Sequence, residues 1–378
     1  MHRSLSAYRE RLGGFIRRAE QLSAPEIDTA FESLALELFG LQFELVRPYR
    51  RLCESRGADP ARVRHWQSIP CVPTTAFKEF ELTSLPPEDR PYVFFSSGTT
   101  GHQPSRHFHC AASLLTYEQS LWPPFRRHLL AGLDAPPRLI CLSPSLAVAP
   151  HSSLVHMFDT IRRTLGAPAA AFLGLVAPDG SWKLDADVTQ QTRADVESRG
   201  RPALVVGTAF SFVQLLDPFS GTHPPSSIFR PRRFSALPPD SRVMETGGYK
   251  GRTRALPQAD LHRLISDRLG VAPTRIVGEY GMSELSSQAY DHVAGTPVQP
   301  GGRIFRFPPW ARAVPVSPET GQVAGEGETG LLRVFDLANV HSVMAIQTDD
   351  LGVRRGEGFE LIGRAPLAEP RGCSLMTG

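Results

Sequence analysis

The feature of this sequence that most constrains its fold is an alternation of short β-branched runs with helical patterns. The runs end in or near glycine or serine and occupy residues 138–143, 202–208, 242–248 and 274–281. Between them lie segments such as 257–270, in which leucines and an isoleucine share one helical face and Gly270 provides a stop signal. Strands that alternate with helices predict an α/β fold with parallel pairing, in which ligands bind at the strand ends.

Two further regions flank the alternating part. Residues 27–52 place apolar side chains at three- and four-residue spacing, which predicts an amphipathic helix that ends near Pro48. From about residue 296 short strands stand between glycines and prolines, which predicts a β-rich part with hairpins. We therefore divide the chain into an N-terminal helical part (1–95), an α/β core (96–295), a β-rich subdomain (296–364) and a short tail (365–378).

Composition excludes several classes of protein. The net charge of the 378 residues is +3, and no basic tract stands out, so we expect no nucleic-acid partner. The N-terminus has no apolar signal core, and the longest weakly apolar run, 167–178, is too short to cross a bilayer, so we expect a cytoplasmic protein without a membrane span. An odd number of cysteines, five, without CxxC spacing favours reduced thiols over disulfides.

A loop of small polar residues, "SSGTTG", follows a hydrophobic run. It consists of Ser96, Ser97, Gly98, Thr99, Thr100 and Gly101. The glycines let the backbone amides turn inward and the hydroxyls add donors, which suits the oxygens of a phosphate group, and Arg106 can assist by its charge. Taken alone, the loop is equally typical of a polar turn after a strand, and the Walker pattern of nucleotide-binding loops is absent.

Three other motifs are better explained by structure. "GEGETG" (325–330) has the spacing of a dinucleotide-binding loop, but no strand precedes it, no helix follows it, and its glutamates would repel a pyrophosphate. We therefore predict a surface turn there. "TAFK" (75–78) and "HFHC" (107–110) resemble parts of catalytic and metal sites but lack partner clusters, so we interpret both as structural.

Further polar segments follow the loop in an order typical of one group of enzymes. They are "METGGYKG" (244–251), "GEYGMSELSSQ" (278–288), "QTDDLG" (347–352) and "LIGR" (361–364). Together with "SSGTTG" they resemble the adenylate-forming superfamily. "IPCVPTTAFKEF" (69–80), "GGYKG" (247–251) and the tail "RGCSL" (371–375) more narrowly resemble the acyl-protein synthetases of bacterial luminescence (LuxE type), from about residue 60 to the end and without the superfamily's large C-terminal domain.

This resemblance implies the fold of the adenylate-forming large domain, with mixed and parallel sheets and helices, and an ATP site. It implies that Tyr280 stacks on adenine, that Asp350 binds the ribose hydroxyls and that Glu284 holds Mg²⁺. Other residues of the matching motifs join the ATP site: Gly247, Gly248, Glu279, Gly281 and Ser283.

Each of the three central residues also has a structural alternative. Tyr280 can be a buried aromatic at a strand end, Glu284 a first-turn helix residue and Asp350 a turn former. The aspartate motif reads Thr348-Asp349-Asp350 where relatives have Thr-Gly-Asp, so the choice between the two aspartates stays open, with Asp350 favoured.

For the chemistry, the resemblance implies activation of a carboxylic acid, in the narrower family a fatty acid, to acyl-AMP. Relatives use a lysine of their mobile C-terminal domain, and we expect Lys250 to replace it, although a solvated turn lysine is the alternative. Arg364 is a further catalytic candidate. The apolar pocket is expected near residues 207–216, lined by Gly207, Phe210 and Phe212, with ordinary packing as the alternative.

The tail offers an acceptor for the activated acyl group. The charge of Arg371 favours the thiolate of Cys373, which we expect to receive the acyl group, as in the acyl-protein synthetases, and to pass it to a partner such as an acyl reductase or a carrier protein. A direct coenzyme A or carrier-protein ligase and a non-catalytic nucleotide-binding scaffold remain as alternatives.

Overall fold

The computed structural model describes residues 3–96, 103–166, 170–216, 236–247, 256–298 and 302–365. The helices in these ranges are α1 (Arg3–Arg18), α2 (Ala24–Leu45), α3 (Arg47–Ser55), α4 (Ala76–Glu79), α5 (Ala111–Phe125), α6 (Ser153–Thr164), α7 (Ala186–Arg199), α8 (Ala209–Leu216) and α9 (Gln258–Leu269). A π-helical turn, Arg126–Leu130, extends α5. Short 3₁₀ turns occupy Ala19–Gln21, Trp66–Ser68, Pro87–Asp89 and Pro273–Arg275.

The strands in the described residues form two larger sheets and two hairpins. They are β1 (Val72–Pro73), β2 (Tyr92–Phe95), β3 (Arg106–His109), β4 (Arg138–Cys141), β5 (Ala171–Phe172), β6 (Gly174–Val176), β7 (Trp182–Leu184), β8 (Ala203–Thr208), β9 (Arg242–Thr246), β10 (Ile276–Tyr280), β11 (Ala289–Tyr290), β12 (Ala311–Val316), β13 (Thr329–Asp336), β14 (Ala345–Arg355) and β15 (Gly358–Arg364). β2 pairs with β3 and β6 with β7, both antiparallel.

The six-stranded sheet is the middle layer of an α/β sandwich. Its order is β5-β4-β8-β9-β10-β11, and every pair is parallel except the last. Alternate residues of one strand enter two different cores: Leu204 and Val206 pack with α5 and α6, whereas Val205 packs with α8 and α9. Burial of both faces explains the nearly continuous apolar runs. The four strands predicted in this part and the α/β class are therefore confirmed.

The β-rich sheet receives a strand from the N-terminal half of the chain. Its order is β1-β14-β13-β12, and β15 also pairs with β14, along a different part of that strand from the part that pairs with β1. β1 runs parallel to β14, with Val72 opposite Ile346. One hydrophobic core joins α1–α3 to β13 and β14, so the first and last parts of the described chain depend on each other for burial of apolar surface.

The predicted helix in residues 27–52 is in fact two helices. α2 ends at Leu45 and α3 begins at Arg47, after Val46 adopts an extended conformation. Pro48 lies in the first turn of α3, where the missing amide hydrogen costs no hydrogen bond. The prediction that the amphipathic helix ends near Pro48 is confirmed by the end of α2 at Leu45, whereas the start of a second helix at Arg47 was not predicted.

The stop at Gly270 and the surface turn at 325–330 are both confirmed. Gly270 follows α9 with φ 66°, in the left-handed region that glycine favours. Residues 325–328 are exposed in the connection from β12 to β13, and Gly327 has φ 80°.

Candidate active site

The Ser/Thr/Gly loop connects β2 to β3. Ser96 lies at its base, whereas Ser97, Gly98, Thr99, Thr100 and Gly101 lie outside the described residues. The Ser96 amide donates to the carbonyl of Ser105 at 3.2 Å, and the Ser105 amide donates to Ser96 Oγ at 2.9 Å. These bonds close the base of the loop and engage the Ser96 hydroxyl with the backbone.

Arg106 lies directly after this loop, as the first residue of β3. Its guanidinium is 3.9 Å from Glu81, a carboxylate that also pairs with Arg90 at 2.6 Å. The distance to Glu81 exceeds that of a hydrogen bond. A half-exposed carboxylate shared between two arginines holds Arg106 weakly, so its charge can turn to an anion in the loop.

Tyr280 and Asp350 meet through a hydrogen bond between the two sheets. Tyr280 is the last residue of β10, and its hydroxyl donates to Asp350 Oδ2 at 2.8 Å. Arg364, on β15, places its Nε 3.7 Å from Asp350 Oδ1 and is itself 87% exposed. Burial raises the pKa of Asp350, which the Tyr280 hydrogen bond and the Arg364 charge oppose.

The neighbouring Asp349 has different surroundings. It is exposed, its backbone carbonyl accepts from Ala365, and its carboxylate is 3.4 Å from the Thr74 hydroxyl. Of the two aspartates, the structure therefore brings Asp350 to Tyr280.

The ring of Tyr280 lies in an aromatic cluster. It packs edge-on against three phenylalanines at centroid distances of 5.3 to 6.3 Å and is 6% exposed. Burial raises its pKa well above the usual value, and the charges of Asp350 and Glu284 act in the same direction. This position agrees with the structural alternative for Tyr280, a buried aromatic at a strand end, and leaves its hydroxyl as the group directed to polar neighbours.

Glu284 lies in an irregular segment, residues 281–288, between β10 and β11, and not in a helix. It is 5% exposed, and its carboxylate accepts a hydrogen bond from Ser283 Oγ at 3.0 Å. Within the described ranges no arginine, lysine or histidine forms an ion pair with it. An ionised buried carboxylate with one hydrogen bond is costly unless a cation approaches it.

His107 connects this segment to the loop hairpin. The His107 ring lies in β3 and its Nδ1 donates to the carbonyl of Ser283 at 2.9 Å. Burial lowers the pKa of His107 to about 4, so the ring is neutral near pH 7. The strand that follows the predicted phosphate loop is thus bonded to the residue that precedes Glu284.

Glu279 points to the face of the sheet opposite Tyr280. Burial raises its pKa to about 7, with the Glu245 charge adding to the effect and a Thr246 hydrogen bond opposing it. A Cβ on Gly281 would lie 2.5 Å from Glu279 Oε1, so a side chain at this position would require the Glu279 carboxylate to shift. Gly247 directly follows β9, beside the end of β10.

The three candidates for the apolar pocket lie in different places. Gly207 is in β8, where an added Cβ would lie 2.8 Å from Leu142, so its lack of a side chain serves packing. Phe212 is fully buried in the core beneath the sheet. Phe210 lines a cavity of about 20 Å³ between α8 and β7, which has room for a water molecule but not for an acyl chain.

Gly248, Lys250 and Cys373 lie outside the described residues. Among the described cysteines, burial raises the pKa of Cys53 to about 11 and of Cys71 to about 12. Cys141 is also fully buried, and Cys110 is half-buried. The three buried thiols are poor nucleophiles because the thiolate is disfavoured.

Two buried residues near the site were missed by the sequence analysis. Asp336 and Asn339, at and after the end of β13, bond to the segment that carries Glu284. Their types are common in turns, so nothing local distinguishes them, and their partners lie some 50 residues away. The one usable signal was an acidic residue at the end of a largely apolar strand.

Comparisons with known proteins agree with the motifs. The family described as acyl-protein synthetase, LuxE, matches residues 192–377. The long-chain-fatty-acid–luciferin-component ligase of Vibrio harveyi is 23% identical over 86% of this chain and 82% of its own length. Its counterpart from Aliivibrio fischeri is 21% identical, covering 96% of this chain and 91% of its own length.

Solved structures with a similar fold include 2-hydroxyisobutyryl-CoA ligase. Its complex in the postadenylation state with R3-HIB-AMP has a TM-score of 0.63 and 14% identity, covering 92% of this chain and 70% of that one. Its complex with 2-HIB-AMP and CoA gives a TM-score of 0.64 at 15% identity with the same coverage. These findings confirm the expected resemblance to LuxE-type proteins and the expected fold, and the two curated relatives are themselves named as ligases.

The search for membrane spans covered the described part of the chain. No helix there has both the length and the apolar character that a bilayer crossing needs.

Proposed function

Because the chain is similar to LuxE-type acyl-protein synthetases and has the fold of adenylate-forming ligases, we propose that it activates a carboxylic acid with ATP to form an acyl adenylate. One observation carries the proposal: Tyr280, Glu284 and Asp350 come together at the carboxyl end of β10, beside the hairpin with the Ser/Thr/Gly loop. Ligands bind at such strand ends in open α/β sheets.

The reaction joins the acid to AMP. An oxygen of the substrate carboxylate attacks the α-phosphorus of ATP, and the bond to the bridging oxygen breaks, so that pyrophosphate leaves with the electron pair. The loop 96–101 holds the β- and γ-phosphates by donation and Arg106 adds a positive charge. Lys250 and Arg364 are proposed to stabilise the charge that develops at the reacting groups.

Asp350 is proposed to bind the ribose. Among the described residues its Oδ1 pairs with the exposed Arg364 at 3.7 Å and can accept from a ribose hydroxyl, while Oδ2 is occupied by the Tyr280 hydroxyl. The buried position of Tyr280 favours a role in orienting Asp350; adenine stacking would require one face of its ring to open.

Mg²⁺ fits the surroundings of Glu284. The described residues contain no group of three or more His, Cys, Asp or Glu side chains able to hold a metal. Mg²⁺ is commonly bound by one or two carboxylates together with substrate phosphates, which agrees with a single buried carboxylate that has no ion-pair partner in the described residues. Bound there, Mg²⁺ would screen the charge of the phosphates.

For the second half-reaction we propose Cys373 as the first acceptor. Its thiolate would attack the acyl carbon, AMP would leave, and the thioester would pass to an acceptor protein such as an acyl reductase. The names of the relatives support a long-chain fatty acid as the substrate. Burial makes Cys53, Cys71 and Cys141 unsuitable for this role, which leaves the half-buried Cys110 as the described alternative.

Exchange of labelled pyrophosphate into ATP tests the first half-reaction. We expect exchange that depends on Mg²⁺ and on one class of carboxylic acid, with fatty acids of different lengths in the panel. No exchange with any acid would overturn the proposal and favour a nucleotide-binding scaffold.

Replacement of cysteine tests the second half-reaction. We expect Cys373→Ser to retain exchange and to lose covalent labelling by a radioactive fatty acid, whereas Cys110→Ser keeps both. Unchanged thioester formation with coenzyme A in Cys373→Ser would instead identify a direct ligase.

A further inference from the structure

The segment that carries Glu284 has no regular structure although it is buried. Residues 284–288 are each at most 5% exposed, and they form neither helix nor strand. Buried backbone amides and carbonyls outside regular structure need other partners, since each unpaired group costs free energy. In this segment the Leu285 amide donates to the carbonyl of Met282, and side chains from another part of the chain bind the Ser286 and Ser287 amides and the Glu284 carbonyl.

Asp336 binds the segment on the C-terminal side of Glu284. Its Oδ2 accepts from the amides of Ser286 and Ser287, both at 2.8 Å. Its Oδ1 accepts from Ser287 Oγ at 2.7 Å and from the amide of Ala338 at 3.0 Å. Four donors on a fully buried carboxylate fix the backbone path at residues 286 and 287.

Asn339 binds Glu284 itself. Its Nδ2 donates to the backbone carbonyl of Glu284 at 2.8 Å, and its Oδ1 accepts from Ser286 Oγ at 2.7 Å. Its own carbonyl accepts from Gln42 of α2 at 2.8 Å. The carboxamide therefore bridges residues 284 and 286, and the backbone of Asn339 is anchored to a helix.

Within the described residues, hydrogen bonds hold the backbone on both sides of Glu284 more firmly than they hold its carboxylate. Its backbone carbonyl is held by Asn339, the preceding carbonyl by His107 and the following amides by Asp336. The carboxylate has only Ser283 Oγ as a hydrogen-bond partner among the described residues. The network thus fixes the backbone on both sides while the carboxylate stays available.

We propose that Asp336 and Asn339 are positioning residues, which hold the backbone of Glu284 so that its carboxylate meets Mg²⁺ bound to ATP. This inference rests on the proposed function, in which Glu284 binds the metal. Preorganisation of a metal ligand by a supporting hydrogen bond increases affinity, and loss of such a bond costs about tenfold to a hundredfold in known metal sites.

The test is Asn339→Ala, which removes the bridge and keeps the four bonds of Asp336. We expect the Mg²⁺ concentration for half-maximal pyrophosphate exchange to rise about tenfold. A second readout does not depend on turnover. Mg²⁺ together with ATP should raise the melting temperature above the value measured with ATP alone, and this extra rise should be smaller in the variant. Ser286→Ala is the milder variant, with an expected rise of about threefold, if Asn339→Ala does not fold.

Two further variants separate positioning from general destabilisation. Arg242→Met removes one buried and one partly buried hydrogen bond at the amino end of β9, the end of that strand away from the site, so we expect a lower melting temperature with an unchanged Mg²⁺ dependence. In a Glu284→Gln background, Asn339→Ala should add no further shift, because the carboxylate that it positions is gone.

The outcomes distinguish the two proposals. An unchanged Mg²⁺ dependence in Asn339→Ala, or a shift that persists in Glu284→Gln, would overturn the positioning role alone. If Glu284→Gln leaves the Mg²⁺ dependence of exchange unaltered, the metal role of Glu284 itself is wrong.

Discussion

The two neighbouring aspartates of β14 have different surroundings, although they are adjacent in the sequence. Asp350 accepts from Tyr280 between the sheets, whereas Asp349 is exposed beside Thr74. The sequence motif alone left either aspartate as a candidate for binding the ribose. Since side chains alternate along a strand, only one of two adjacent residues can face the candidate site.

This difference gives a matched pair of variants. We expect Asp350→Asn to raise the KM for ATP about tenfold or more, because a hydrogen bond to a charged group is worth roughly 1.5–3 kcal/mol. Asp349→Asn should stay within about twofold. Steady-state pyrophosphate exchange at varied ATP measures both, and equal effects of the two substitutions would contradict the assignment of Asp350.

Glu279 predicts a dependence of stability on pH. Its pKa is raised to about 7 by burial, so the protonated form favours the folded state. The stabilisation is complete below the unfolded pKa, about 4.3, and is lost as the pH rises through 7. The shift from about 4.3 to about 7 corresponds to a loss of at most about 4 kcal/mol.

Glu279→Gln should therefore gain stability relative to the unaltered protein as the pH rises from 5 to 8. Denaturant unfolding of both proteins at several pH values measures the difference, and exposed Glu328→Gln serves as the control. A constant difference across this range would show that Glu279 does not titrate there.

At the scale of single elements, the sequence predicted the strands and helices whose structure is determined by their local residue pattern. β8 and β10 are buried apolar runs with clear ends, and α9 has both an apolar face and Gly270 as its stop. The end of α2 near Pro48 was predicted but the start of α3 there was not, because proline disfavours a helix interior and also suits a first turn, and local pattern does not say which applies.

Two glycines in different elements should respond oppositely to alanine. A Cβ at Gly40 in α2 meets no atom within 4 Å, and alanine favours helix, so Gly40→Ala should raise the unfolding free energy by about 1 kcal/mol. A Cβ at Gly207 in β8 would meet Leu142 at 2.8 Å, so Gly207→Ala should lower it by about 1–3 kcal/mol. Thermal unfolding of both variants shows whether each substitution raises or lowers the unfolding free energy.

At the scale of the whole molecule, contacts between distant parts of the chain decide the structure. Val72 of β1 pairs with Ile346 of β14, and Asp336 bonds to Ser286 and Ser287. Hydrophobic periodicity is local and carries no information on such partners. The family resemblance did predict that Tyr280 and Asp350 belong to one site, because it supplied the long-range information that the pattern lacked, but it did not predict their direct hydrogen bond.

The part of the chain that matches the LuxE family, residues 192–377, should not fold alone. Within it, β8 would lose its neighbour β4 and β14 would lose β1, while the core around β13 would lose α1–α3. We expect the fragment 192–378 to give a circular dichroism spectrum without a cooperative thermal transition, in contrast to the full chain. A sharp transition in the fragment would show that the two halves are independent.

The pairing of β1 with β14 also sets a delay during synthesis. About 270 residues separate the two strands, and at 5–20 residues per second the ribosome needs roughly 14 to 54 s to make them. During that time the apolar surfaces of α1–α3 have emerged without their covering strands. Nascent chains are thus exposed to aggregation, so slower initiation, lower temperature or added chaperones should increase the yield of native protein.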